Sequence, residues 1–195
     1  MEDKKEEIYL ESNGDFRMRE LDKSDLEQFN ALLQYAFQVT SYDLFQTGWE
    51  QDEIKSAKRP ILEEAFVLGW FYRDKLASMI VVYSIKVNIH DEIMDMGGIT
   101  GVSTYPEYTG RGLIRSLMEH VLDYMHRKEM VISFLYPYSI PLYRKMGWEI
   151  VSDKLSFTVK DTQLPKPRPV DGIVERVSLD STDYHNVHSY FALQR

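Results

Sequence analysis

The spacing of apolar residues alternates between two periods along most of the chain and predicts strands and helices in turn. Apolar and polar residues alternate over residues 16–21, which is typical of a half-buried strand. Helical spacing follows and predicts an amphipathic helix over residues 24–38, opened by a capping box between Ser24 and Glu27. A second, weaker helix is expected over residues 49–58, because the proline that follows disfavours its continuation.

The pattern then changes to that of strands. Residues 65–72 and 76–89 are rich in β-branched and aromatic residues, and the three residues between them predict a hairpin turn. A third strand is expected over residues 94–104, where Gly101 is one of three interrupting glycines. Glycine inside a strand indicates a bulge or a close approach to the backbone.

The clearest helix runs from Gly110 to about residue 128, and a short buried strand is expected over residues 131–136. A short helix over residues 140–146 ends at Gly147, a residue type that favours the left-handed conformation at helix ends. Residues 148–159 predict a last strand. The order β-α-α-β-β-β-α-β-α-β is that of a mixed α/β sheet.

The chain is longer than one typical domain of about 150 residues, and three alternating prolines predict where that domain ends. We expect a domain over residues 1–162 and an extended linker over residues 163–170. Residues 171–195 carry little apolar material, and we interpret them as an appended segment or the start of a truncated second domain.

Composition excludes several classes of protein. The 195 residues include no cysteine, which excludes a disulfide scaffold, a thiolate zinc site and a cysteine nucleophile. The formal net charge of −8 argues against nucleic-acid binding and suits a small cationic substrate. The longest apolar stretch is about half of the ~20 residues that a membrane helix needs. A charged leader without an apolar core predicts no signal peptide, so we expect a soluble, cytoplasmic protein.

The stretch most indicative of chemistry is residues 101–115, where a strand leads through a glycine-bearing loop into a helix. Such a loop directs backbone N–H groups and the positive end of the helix dipole at one point, which favours a phosphate group. Gly110 and Gly112 would allow close approach of a pyrophosphate, and Arg111 or Arg115 could add charge. A plain strand-to-helix turn is the alternative interpretation.

Other phosphate and metal motifs do not match. No Gly-Lys-Ser/Thr follows the loop, and the third glycine of a dinucleotide fingerprint is absent. His120 and His126 face different sides of their helix, and His185 and His188 lack a third ligand, so no metal site is expected.

Two segments together resemble the GNAT family of acetyl-CoA-dependent N-acetyltransferases. The loop Thr109-Gly110-Arg111-Gly112-Leu113-Ile114 resembles the family's Arg/Gln-x-x-Gly-x-Gly/Ala motif, with departures at its first and last positions. The segment Leu142-Tyr-Arg-Lys-Met-Gly-Trp148 resembles the family's late Tyr-x-x-x-Gly-Phe/Trp segment. Residues 96–108 and 133–143 are most similar to the Eis-like branch, and the resemblance covers residues 15–160.

The resemblance implies a GNAT fold: a mixed, mostly antiparallel sheet, splayed at the acetyl-CoA site and flanked by helices. It also implies transfer of an acetyl group from acetyl-CoA to a primary amine of an aminoglycoside, a polyamine or a lysine side chain, by direct attack in a ternary complex. We expect the protein to bind no metal, nucleic acid or membrane, and homo-oligomerisation stays open. The alternative is a non-catalytic module that binds CoA or assembles with other domains, a fragment without its general base.

The same resemblance assigns roles to individual residues. It makes the Val102 N–H the stabiliser of the oxyanion and Tyr143 the general acid that protonates the departing thiolate. Asp25 or Glu27 could add negative potential to the amine pocket or cap the helix start, and the general base stays unassigned. The residues implied to bind the cosubstrate are Val102, Ser103, Thr104, Thr109, Gly110, Arg111, Gly112, Leu113 and Ile114.

Overall fold

One six-stranded sheet organises the first of two compact units, which comprise residues 1–149 and residues 150–195. The computed structural model describes residues 11–46, 58–153, 155–164, 166, 178 and 182–193. The strands lie side by side in chain order: β1 (Glu11–Asn13), β2 (Phe16–Glu20), β3 (Phe66–Tyr72), β4 (Lys75–Ile89), β5 (Glu92–Thr104) and β6 (Ile132–Leu135). Strands β1 to β5 are antiparallel and β6 runs parallel to β5, which confirms the predicted mixed sheet.

Helices cover both faces of this sheet. The first unit contains α1 (Leu26–Phe37), α2 (Ser41–Gln46), α3 (Arg59–Glu64), α4 (Leu113–Arg127) and α5 (Ile140–Arg144), and the second contains α6 (Thr182–Leu193). One apolar core forms between the sheet and α4, and another between the sheet, α1 and α3. Because both faces of β4 are covered, residues 76–82 are all buried instead of alternating between buried and exposed, and all of them except Ser78 are apolar.

A bulge in β5 positions the end of that strand. The register with β4 shifts between Met79 and Val81, opposite Gly101, whose φ is +60°. The parallel ladder with β6 extends only from Met96 to Ile99, so β5 continues past the end of its neighbour. The last residues of β5 therefore have a backbone edge that β6 does not cover, as expected for a sheet that splays there.

The capping box predicted at the start of α1 is wrong. The capping residues are Asp22 and Asp25 instead of Ser24 and Glu27. Oδ1 of Asp22 accepts hydrogen bonds from the backbone N–H and the hydroxyl of Ser24, at 2.8 and 2.6 Å. Oδ2 of Asp25 accepts one from the Asp22 N–H at 3.0 Å. A 3₁₀ turn over Lys23–Asp25 precedes the helix and moves the cap two residues upstream.

Other elements differ from the prediction near the ends of the chain. The strand predicted over residues 148–159 is wrong, since none of its described residues lies in a strand and its apolar side chains from Ile150 to Val159 are exposed. The predicted buried strand at 131–136 is the edge strand β6, whose Phe134 is 41% exposed. Strand β1 and helices α2 and α3 were not predicted. The helix expected over 49–58 lies almost wholly outside the described residues.

None of the described helices is both long enough and apolar enough to cross a lipid bilayer.

Candidate active site

A cleft of about 280 Å³ lies where the end of β5, the loop after it and the first turn of α4 face α5. Most of the cosubstrate-binding residues predicted from the sequence meet here. The residues that line the cleft are Thr104, Tyr108, Thr109, Gly110, Gly112, Leu113, Ile114, Arg115, Leu142, Lys145 and Met146.

The loop forms an open anion cradle. Gly110 and Gly112 have φ of +74° and +79°, and no atom lies within 4 Å of the point that a β-carbon would occupy at either residue. The first hydrogen bond of α4 runs from the Ser116 N–H to the Gly112 carbonyl at 3.1 Å, so the N–H groups of residues 113–115 have no partner within the helix, and Gly112 provides no side-chain cap. The first turn of α4 carries no acidic residue either. Unpaired N–H groups and the positive end of the helix dipole therefore face the cleft, an arrangement that binds phosphate.

Two basic residues, Arg115 and Lys145, line this cleft. Arg111 does not, because its guanidinium carbon lies 5.7 Å from the centre of the Phe16 ring. Phe16 also contacts Tyr108 of the loop, with ring centres 5.8 Å apart. The guanidinium of Arg111, which was predicted to add positive charge for the phosphate, thus lies over an aromatic ring that contacts the loop. Lys145, the C-cap residue of α5, could not be predicted from the sequence, since nothing local indicates that it faces the start of α4.

The end of β5 presents alternate residues to the uncovered edge. The backbone N–H of Tyr105 donates to the carbonyl of Ala77 in β4 at 3.0 Å. Because successive residues of a strand point their backbone groups in opposite directions, Ser103 also faces β4, whereas Thr104 and Val102 face away from it. The Ser103 side chain is buried and donates to the carbonyl of Gly101 at 3.0 Å.

Tyr143 lies on α5, between residues that line the cleft. Its side chain is 7% exposed, and burial raises the pKa of its phenol above the ordinary value of 10. The hydroxyl makes no hydrogen bond within the part of the chain that the structure describes. The helix ends as predicted: Gly147 has φ of +98°, and the Tyr143 carbonyl accepts from the N–H groups of Met146 and Trp148. A phenol with a raised pKa is protonated at neutral pH and can donate its proton.

The two acidic residues considered for the amine pocket take other places. Asp25 is 3% exposed and accepts two hydrogen bonds from the guanidinium of Arg19, at 2.7 and 2.8 Å, besides that from Asp22. Its carboxylate is therefore fully paired. Glu27 is exposed on the first turn of α1. Neither residue lines the cleft.

A second polar region lies on the other face of the sheet. The ring centres of Tyr35 and Tyr105 are 5.3 Å apart. Burial raises the pKa of the Tyr105 hydroxyl, and the negative charge of Glu107 raises it further. Burial and then Glu64 raise the pKa of Tyr83 in the same way. Sequence analysis did not predict this set, because α1, α3 and the strands bring it together from distant positions.

Two further kinds of site were considered, a second depression and a metal site, and among the described residues neither has reactive side chains without a partner. A depression of about 480 Å³ lies beside α3, but its Lys23 and Glu63 form an ion pair with each other at 2.9 Å, and its Asp22 caps the 3₁₀ turn. Among the residues that the structure describes, no group of three or more His, Asp or Glu side chains is placed to hold a metal ion.

Comparison with known proteins gives one family. A family model described as an acetyltransferase (GNAT) domain matches residues 17–151. A probable N-acyltransferase from Enterococcus faecalis is 27% identical with a TM-score of 0.61, and the match covers 69% of this chain but 32% of that one. The chain thus spans about a third of the length of that relative. No curated protein sequence matches the chain significantly.

Shorter proteins share the fold. A GCN5-related N-acetyltransferase from Ralstonia eutropha is 19% identical with a TM-score of 0.60, and the match covers 73% of this chain and 98% of that one. A predicted acetyltransferase from Clostridium acetobutylicum, solved with acetyl-CoA, is 14% identical with a TM-score of 0.57 and coverages of 73% and 96%.

Proposed function

The chain belongs to the GNAT acetyltransferase family, and from that premise we propose that it transfers the acetyl group of acetyl-CoA directly to a primary amine. Acetyltransferases of this family use acetyl-CoA. The observation that carries the proposal is the open anion cradle, where the N–H groups of residues 113–115 in the first turn of α4 lie beside the side chains of Arg115 and Lys145. These groups fit the pyrophosphate of CoA, because they supply several donors and two positive charges in one cleft.

The uncovered edge of β5 supports a path for the rest of the cosubstrate. The pantetheine arm would lie beyond the end of the β5–β6 ladder, where the backbone groups of Val102 and Thr104 face away from β4. The N–H of Val102 would stabilise the negative charge that develops on the thioester oxygen. A backbone donor suits this task, because its position is fixed before the reaction begins.

Tyr143 would complete the reaction. The amine nitrogen attacks the thioester carbon, its N–C bond forms, and the C–S bond breaks as the sulfur leaves with the electron pair. The Tyr143 phenol then gives its proton to that sulfur, for which its raised pKa keeps it protonated at neutral pH. The amine loses its proton to solvent before or during attack, and the Tyr143 phenolate regains a proton from solvent after the thiol leaves. We assign no side chain of this chain as the general base.

The charge of the protein favours a cationic acceptor. The net charge is −8, and carboxylates of Glu64 and Glu107 lie close enough to Tyr83 and Tyr105 to raise the pKa of both phenols. Carboxylates beside aromatic rings attract ammonium groups. Aminoglycosides, polyamines and lysine side chains all present such groups.

We further propose that the chain belongs to the Eis-like branch of the family and acts in the cytoplasm. Residues 96–108 and 133–143 carry the branch resemblance, and the much longer Enterococcus faecalis relative supports a multi-domain arrangement. In that arrangement residues 1–162 form the acetyltransferase domain, residues 163–170 the linker, and residues 171–195 the beginning of a further domain.

The acceptor class is tested by product analysis. The protein is incubated with acetyl-CoA and one amine at a time, namely an aminoglycoside, spermine or a lysine-containing peptide. Mass spectrometry then measures the masses of the products. An acetylated form of at least one cationic amine, with none of a neutral alcohol of similar size, is the expected result. Acetylation of the alcohol alone would contradict an amine acceptor.

The second candidate is a non-catalytic module that binds CoA. The observation that favours it is that the match covers only 32% of the Enterococcus faecalis relative. Saturable binding of CoA without any acetylated product, together with self-association in gel filtration, would favour this candidate over the enzyme.

A further inference from the structure

We propose that the side-chain oxygen of Thr104 is a hydrogen-bond acceptor for an amide N–H of the pantetheine arm, and that the buried hydroxyl of Ser78 orients it. The inference rests on acetyl-CoA being the cosubstrate, as proposed above, and adds a side-chain contact to the backbone contacts described there. It assigns a positioning role to Ser78, a residue inside the core that touches no ligand.

The proton of each hydroxyl can be assigned from three oxygen positions. The Ser78 hydroxyl, which is fully buried, donates to the carbonyl oxygen of Ser103 at 3.0 Å. Its oxygen also lies 2.7 Å from the side-chain oxygen of Thr104. A serine hydroxyl has one proton. Since that proton is used on the carbonyl, Thr104 must donate in the second contact.

This assignment decides what Thr104 offers to a ligand. With its proton directed at Ser78, the Thr104 oxygen has only lone pairs left for the cleft that it lines. A ligand group beside it must therefore donate. The phosphates and the thioester of acetyl-CoA have no proton to give at neutral pH. Its donors are the adenine amino group, the ribose hydroxyl and, in the pantetheine arm, two amide N–H groups and one hydroxyl, and only the arm runs along the end of β5 in the path proposed above.

The sheet geometry favours an amide over the hydroxyl. Ser78 and Thr104 are opposite residues of β4 and β5, and the adjacent bond from Tyr105 to Ala77 makes theirs the pair without backbone hydrogen bonds. The two side chains of such a pair approach closely, while the Thr104 backbone faces the uncovered edge. An arm extended along that edge would meet Thr104 with the amides that run along its length.

Two variants separate the hydroxyl from the shape of the residue, since valine has the shape of threonine and serine has its hydroxyl without the methyl group. Thr104→Val removes the acceptor, and Thr104→Ser retains it. Calorimetric titration measures the affinity for CoA and for adenosine 3′,5′-bisphosphate, which has the nucleotide half without the arm. We expect Thr104→Val to weaken CoA binding about tenfold, because the ligand N–H is left unpaired, and Thr104→Ser to stay within about twofold. The bisphosphate should bind all three proteins equally.

The role of Ser78 is tested in both backgrounds. Ser78→Ala should weaken CoA binding when Thr104 is present and should have no further effect beside Thr104→Val. A residue that only supports the fold would weaken binding of the bisphosphate too, and to the same degree in both backgrounds. The melting temperature of each variant, measured without ligand, checks that it folds.

A modified ligand identifies the donor. CoA analogues in which one pantetheine amide or the other is replaced by an ester lack a single N–H. One of them should bind the wild-type protein about tenfold more weakly than CoA and bind Thr104→Val no more weakly than CoA does. Equal affinity of wild type and Thr104→Val for CoA, equal losses for CoA and the bisphosphate, or no loss with either analogue would overturn the inference. Failure of the wild-type protein to bind any of these ligands would overturn the proposed function itself, and this inference with it.

Discussion

Gly101 and Val81 are in such close contact that the bulge of β5 has no room for a side chain. A β-carbon at Gly101 would lie 2.8 Å from Cγ2 of Val81, and the φ of Gly101 is +60°. The residue thus needs glycine for two reasons, its backbone conformation and its packing against β4. The bulge matters for function because the residues that follow it, Val102 to Thr104, form the uncovered edge beside the cleft.

Gly101→Ala is therefore expected to destabilise the protein by about 3 kcal/mol, of which about 1 kcal/mol is backbone strain and the rest overpacking. Gly14→Ala is a matched control, since Gly14 has φ of +61° with no atom within 4 Å of the added carbon. It should cost only the strain, about 1 kcal/mol. Urea unfolding measures both values. Equal losses in the two variants would show that the contact with Val81 does not matter.

Gly112→Glu is expected to abolish CoA binding while the protein stays folded. The added side chain has space, but it brings a negative charge into the cradle beside the phosphates and strains a residue with φ of +79°. Gly14→Glu applies a similar strain outside the cleft and should bind CoA normally. Calorimetry gives the affinities. Unchanged affinity in Gly112→Glu would place the cosubstrate elsewhere.

Tyr143→Phe is expected to lower kcat about 100-fold, the usual size of a general-acid contribution, with little change in acetyl-CoA affinity. Tyr124→Phe is the control, because burial raises the pKa of that phenol as well and its ring stacks on Phe66 instead of lying beside the cleft. Steady-state kinetics and equilibrium binding separate the two quantities. Normal turnover in Tyr143→Phe would remove the role proposed for it.

Asp25→Asn is expected to cost about 3 kcal/mol of stability, because it removes the buried carboxylate charge that accepts two hydrogen bonds from the largely buried Arg19 guanidinium. The side chains of this pair are 16% and 4% exposed, against 67% and 37% for the pair of Lys23 with Glu63. Glu63→Gln should therefore cost less than about 0.5 kcal/mol. Thermal unfolding compares the two. The folded Asp25→Asn protein should keep its acetyl transfer, and loss of activity without loss of stability would argue for a chemical role instead.

High pH is expected to destabilise the fold through its buried and half-buried tyrosines. Burial raises the pKa of four phenols above the ordinary value of 10, namely those of Tyr83, Tyr105, Tyr124 and Tyr143. Above pH of about 10 the unfolded chain loses these protons while the folded chain holds them, so stability falls as pH rises through this window. Unfolding free energies at pH 9 and pH 11 measure the effect, and Tyr143→Phe should reduce it. A flat profile would contradict the raised pKa values.

Glycine and hydrophobic period made much of the architecture predictable. Gly101 indicated the bulge and Gly147 the end of α5, because few other residues adopt a positive φ without strain. The cap of α1 was not predictable in the same way, since Asp25 depends on Arg19 of β2, whose guanidinium lies over the Phe71 ring. That contact forms only when β2 and β3 are paired.

Only the part of the cleft that is local in sequence could be predicted. The glycine loop and the start of α4 are local in sequence, so their anion site could be inferred before the fold was known. Lys145 and the pair of Ser78 with Thr104 join the site through tertiary packing and strand register. Residues 148–159 alternate as a strand would but form none, because an alternating pattern becomes a strand only where the edge of another strand pairs with it.

The most direct test of acetyl transfer is the release of free thiol from acetyl-CoA, followed with and without a cationic amine. The account predicts release that depends on the amine and saturates with acetyl-CoA, and that falls to background in Gly112→Glu. Saturable binding of acetyl-CoA, seen as a rise in melting temperature, without thiol release for any amine would contradict catalysis by residues 1–195 and leave a domain that binds the cosubstrate only.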